Sequence, residues 1–129
     1  MAQHQQYHIS RISNEHSDWN RGTAFYMDEI GILSNRLQEI SIVYSNEEVK
    51  SQVEHFQNQF IIQKNNLEEL KKKIKNHEHH LSQDAIHHAQ HLTKETIEEH
   101  DQLRGQYMDL VKVIVELKHD FYKFVASYM

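Results

Sequence analysis

Twelve of the 129 residues are histidine and none is cysteine. Imidazole is a borderline ligand that suits zinc, copper, nickel or iron, whereas the missing thiols exclude disulfide scaffolds, cysteine-ligated zinc, iron–sulfur clusters and thiol catalysis. His87 and His91 stand four residues apart and His88 and His91 three, so on a helix each pair shares a face. His16, His77, His80, His87, His88 and His91 form the candidate metal set, with zinc or copper as the ion and Glu15, Glu78, Asp84 or Glu95 as oxygen donors or outer partners. Zinc would need three or four of these groups to converge at about 2.0 to 2.1 Å.

Other chemistry finds no support in the residues. The chain lacks a glycine-rich phosphate loop, a G-x-S-x-G turn and a His-Glu-x-x-His pair. Glu-x-x-His, which a carboxylate-bridged dimetal bundle needs on two helices, occurs at Glu116 to His119, with only an Asp variant at Asp84 to His87. A narrow bundle without loops also offers little concave surface for a substrate, and the chain reads as non-enzymatic. The basic run Lys71, Lys72, Lys73 and Lys75 follows Glu68 and Glu69 at ion-pairing distance, so it reads as a solvated helix face and not as a nucleic-acid footprint. Formal charge is −5 with neutral histidine, and protonating all twelve would reverse its sign. The polar N-terminus resembles no export signal, and the most apolar window, Leu110 to Leu117, is far shorter than the ~20 residues of a membrane span. The expectation is a cytoplasmic protein that meets neither membrane nor nucleic acid.

What must position the histidines is helix. There is no proline and there are three glycines, which removes the usual punctuation of sheets and barrels. Three strings step by alternating threes and fours: Ile12, His16, Trp19 on to Tyr44; Val49, Val53, Phe56 on to His77 and Leu81; and Ile86, Ala89 on to His100, Leu103, Phe124 and Tyr128. Ser45-Asn46-Glu47-Glu48 has the capping oxygens and acidic first turn of a helix start, and Ser82-Gln83-Asp84 reads as a second break. The fold expected is all-α, a three-helix antiparallel bundle in one domain, 1–129, with helices over about 8–44, 47–81 and 84–128. The β-branched stretch Val111 to Val115 is assigned to helix because the period continues on both sides of it.

Short connections also set which residues face each other. A turn at 82–84 puts Ala89 at the level of His16 and His77, with His80, His87, His88 and His91 within about a turn, and it puts His100 beside Tyr26 and Gln63 as a buried polar layer. It also makes the third helix outrun the first turn, leaving Phe121, Tyr122, Phe124, Val125 and Tyr128 uncovered as an aromatic interface. The leading expectation is therefore an interaction or scaffold protein that self-associates or docks on another helical protein. A transition-metal-binding bundle is the alternative.

Overall fold

A computed structural model describes the backbone of residues 2–87 and 92–128, and side chains over 10–87 and 92–128. It contains three helices, α1 (Ala2–Val43), α2 (Glu47–His87) and α3 (Lys94–Ser127), with no strand among the described residues. The chain is an all-α three-helix bundle. Its contacts group into two units, one made of Met1–Thr23 with Glu68–Met108, the other of Ala24–Leu67 with Asp109–Met129, so every helix contributes to each. Directions follow from the pairings. Helices α1 and α3 run parallel, since Glu15 pairs with His100 and Arg104, 85 and 89 residues away, and Tyr44 with Tyr128, 84 away. Along α2 the separation to α3 partners shrinks, from 33 residues at Lys73 to 19 at His80, as antiparallel neighbours require.

The first connection is built as the sequence predicts. Asn46 Oδ1 accepts the Val49 N–H at 2.9 Å, satisfying one of the open donors at the start of α2. The second connection differs. Helix α2 does not stop at 82–84 but continues to His87, and α3 starts at Lys94 with Thr93 as its cap, whose Oγ1 accepts the Thr96 N–H at 3.2 Å. Asp84 is buried and accepts the Thr93 N–H at 3.0 Å. The residue expected to start a helix thus holds the start of the next one from outside. Ile86, expected in the seam, is exposed.

Moving the connection moves α3. The layer of His16 and His77 receives His100 instead of Ala89, and Tyr44 meets Tyr128 instead of Leu117. Both displacements are eleven residues, about three helical turns, which leaves the same face pointing inward while changing every partner.

The aromatic end of α3 therefore lies in a core and not beyond it. Phe121, Phe124 and Val125 are buried with Ile30, Leu33, Phe56 and Phe60 in the second unit; Phe121 packs edge-on against Phe56 and Phe60 at centroid distances of 5.4 Å. Tyr128 is half-buried, and the Tyr44 hydroxyl donates to its carbonyl at 2.9 Å. Of the five expected interface residues only Tyr122 is exposed. Gln63 is buried and Tyr26 half-buried in this unit, where Gln63 Oε1 accepts from Asn66 at 3.3 Å. Lys118 reaches Glu29 at 2.9 Å, and that hydrogen bond holds its pKa above the usual lysine range.

The glycines divide as well. A Cβ at Gly22 would collide with the Tyr107 hydroxyl, so this helix position is kept bare by a close approach, whereas Gly31 and Gly105 face open space.

Phe121→Ala removes a fully buried ring and is expected to lower unfolding free energy by about 3 to 5 kcal/mol, while Tyr122→Ala should change it by under about 1 kcal/mol. Urea titrations of the two variants check this; equal small effects would mean that the end of α3 is not core.

Candidate functional site

One histidine from each helix meets in the first unit. His16, His77 and His100 are 5%, 0% and 2% exposed, and their rings form a triangle with centroid separations of 4.9, 5.3 and 5.3 Å. Trp19, one turn after His16 on α1, stacks on His100 at 4.7 Å and covers the cluster. Each residue sits at a seam position of its helix, which is why all three point inward.

Every imidazole turns one nitrogen outward to a carboxylate. His77 Nδ1 lies 2.7 Å from Glu99 Oε1, His100 Nε2 lies 3.3 Å from Glu15 Oε1, and His16 Nδ1 lies 3.8 Å from Glu78 Oε1. The carboxylates are themselves held. Arg104 grips Glu15 through two hydrogen bonds of 2.6 and 2.7 Å, with Arg11 at 3.4 Å; Asn20 donates to Glu78 at 2.9 Å; and His80 contacts both oxygens of Glu99 at 2.9 and 3.2 Å.

The inner nitrogens face one another. His77 Nε2 and His100 Nδ1 are 3.2 Å apart, His16 Nε2 is buried without a hydrogen-bond partner, and one nitrogen from each of the three rings lies within 4.8 Å of the others. Two neutral imidazoles carry two N–H groups, but the line from Glu99 through His77 and His100 to Glu15 has three contacts to fill. If both hydrogens go to the carboxylates, lone pairs meet in the middle, with the orphaned nitrogen of His16 as a third. Three buried imidazoles with a nitrogen each within 4.8 Å of the others, two of them hydrogen-bonded through the opposite nitrogen to carboxylates, resemble the donor set of a histidine-ligated metal. In tetrahedral zinc the nitrogens stand about 3.3 Å apart, the spacing that His77 and His100 already have.

Burial disfavours the charged forms of His16 and His100. Burial, then the neighbouring His77 and His100, push the His16 pKa down to about 4, against an opposing pull from Glu15. Burial likewise lowers His100, although its hydrogen bond with Glu15 works the other way. The Arg104 hydrogen bonds hold the Glu15 carboxyl at about 2 despite its burial, and Arg104 is raised in return. Burial would raise Glu99, but its hydrogen bonds with His80 and His77 more than offset that. The ionised form is favoured for Glu15 and Glu99, and the neutral, ligating form for His16 and His100.

Of the four expected histidines that are described, His16 and His77 enter the cluster and His80 and His87 do not. His80 is exposed and stands behind Glu99, His87 is exposed beside Gln83 at 3.0 Å, and His88 and His91 lie outside the described residues. His100 joins the cluster, with Glu15 and His77 as partners in place of Tyr26 or Gln63. Glu15 and Glu78 were legible as outer groups; Glu99 and Arg104 were not. The overlooked signal is that each heptad string carries an interior histidine, and aligning those three gives the observed register.

In the metal-free protein, stability should fall as pH drops from 6.5 towards 4. His16 titrates lower in the folded chain than in the unfolded one, so the unfolded chain takes the proton first, a loss of about 3 kcal/mol across that window. Glu15 adds a second loss as pH falls from about 4.5 to 2, because its ionised form is the one the fold favours. Urea midpoints measured at several pH values for the natural chain and for His16→Leu check this. The variant should lose the His16 share of the first slope, keep the share that His100 contributes through its own lowered pKa, and keep the second slope. Comparison with known proteins finds no matching family model, no significantly similar curated protein and no significantly similar solved structure.

Proposed function

We propose that the chain binds a transition metal, zinc or copper, through His16, His77 and His100. The observation that supports this reading most directly is that one nitrogen from each of His16, His77 and His100 lies within 4.8 Å of the others while His16 Nε2 is buried without a partner. A buried polar atom without a partner costs about 1 to 3 kcal/mol, and a cation bound by His16 Nε2 would remove that cost. Three protein ligands leave the fourth tetrahedral position to water or another small ligand. Burial of all three rings favours holding the ion over turning over a substrate.

Isothermal titration of zinc into chelator-treated protein, and the visible spectrum of the cobalt form, test the reading. One ion per chain is expected, with binding lost in His77→Ala and weakened about 10- to 100-fold in Glu99→Gln, which leaves the ligands intact but frees the orientation of His77. Weak uptake of several ions per chain, unaffected by His77→Ala, would mean that the exposed histidines merely scavenge metal.

A second reading, interaction with another copy or another helical protein in the cytoplasm, draws on a different observation. Among the described residues, nine of the twelve exposed large hydrophobic side chains belong to the second unit, including Phe25, Ile32, Ile61, Ile62, Val113 and Tyr122. Contiguous exposed apolar surface is characteristic of association sites. Sedimentation at micromolar concentration should give a dimer mass that reverts to monomer in an Ile61→Glu, Ile62→Glu double variant; a monomer in the natural chain argues against self-association.

A further inference from the structure

The two units are built from different materials. Among the described residues, the second unit contains twelve buried hydrophobic side chains and one buried polar one, Gln63. The first has five, Ile12, Trp19, Leu70, Ile74 and Leu103, against six buried polar groups. Apolar burial is what offsets the entropy of ordering a chain, so the second unit has a self-sufficient core and the first does not. Three of the six polar groups of the first unit are satisfied without any metal: Thr23 donates to the Asn20 carbonyl at 3.1 Å, Thr96 shares a 2.9 Å contact with Thr93, and Asp84 accepts from Thr93. The other three are the histidines, which lack one hydrogen and leave one nitrogen orphaned.

We infer that metal binding at His16, His77 and His100 controls the folding of the first unit, while the second stays folded with or without the ion. The inference rests on the metal reading above. The geometry suits it because the three ligands come from three helices, so one ion ties α1, α2 and α3 together at a single layer. An ion that binds only the folded arrangement contributes its binding free energy to folding, and a region with few apolar contacts is the one that opens first when the ion is absent. The cluster is then a metal-responsive device in which the occupied state orders the residues around Ile12 to Trp19, Leu70 to Asp84 and Thr96 to Tyr107.

Hydrogen exchange on the full chain, with chelator and with zinc, tests this, alongside the titration that measures stoichiometry. At free zinc about a hundred times the dissociation constant, slow amides of the first unit should gain about a hundredfold protection, and those around Leu33, Phe56, Phe60 and Phe121 less than about twofold. His16→Leu should bind no zinc tightly and show no zinc-dependent change, yet protect the first unit at least as well as the metal-free natural chain, since it replaces an orphaned nitrogen by apolar surface. Stoichiometric binding with equal protection in both units, or with none in either, overturns the inference and leaves the metal reading standing. Absence of stoichiometric binding overturns both. Loss of protection in the first unit of His16→Leu would mark that histidine as a structural residue and also overturn the inference.

Discussion

Three imidazoles in one buried layer, with fewer hydrogens than contacts to fill, set the terms for the rest of the first unit. Burial pushes His16 and His100 towards neutrality, and a neutral imidazole has one donor and one lone pair. Glu15 and Glu99 accept at the outer nitrogens of His100 and His77, and with the ring hydrogens placed there the lone pairs are left to the centre. Arg104 matters because without its two hydrogen bonds the partly buried Glu15 would lose its main counter-charge. Polar residues on three helices are thus tied to one layer, and that layer fits only one alignment of α3.

The second unit follows a simpler rule. Phe56, Phe60, Phe121 and Phe124 interlock through edge-on and stacked contacts, and the aliphatic residues of α1 close over them. No hydrogen-bond pattern selects these neighbours, so shape and volume do. The two units therefore specify the bundle by different means: one through the fit of its apolar side chains, the other through its polar groups.

Helix content and inward faces were legible because period is a local property: His16, His77, His100, Leu33, Phe60 and Ile114 all point inward as their spacing requires. The Asn46 cap was legible for the same reason. Alignment was not, because it depends on where the second connection falls, and Ser82-Gln83-Asp84 has the composition of a helix start while serving another end. Asp84 caps across space, from inside α2 to the Thr93 N–H, and a local signal cannot reveal a distant acceptor. One misplaced connection then misassigned both the partners of His100 and the exposure of Phe121, Phe124 and Val125. The lesson is specific to bundles whose seams tolerate a three-turn slide.

That slide has a consequence for how the chain finds its fold. An eleven-residue displacement returns α3 to the same face, so the arrangement with a tight turn at 82–84 is a decoy: it satisfies every local preference and is reached through the shorter loop. Phe121 and Phe124 reject it, since that alignment leaves their rings in water and forfeits about 1.5 to 3 kcal/mol for each. His100 rejects it independently, because it would be drawn away from His16, Glu15 and Trp19. The aromatic end of α3 and the histidine layer act as two separate proofreaders of a single misalignment, one reading size and the other reading charge.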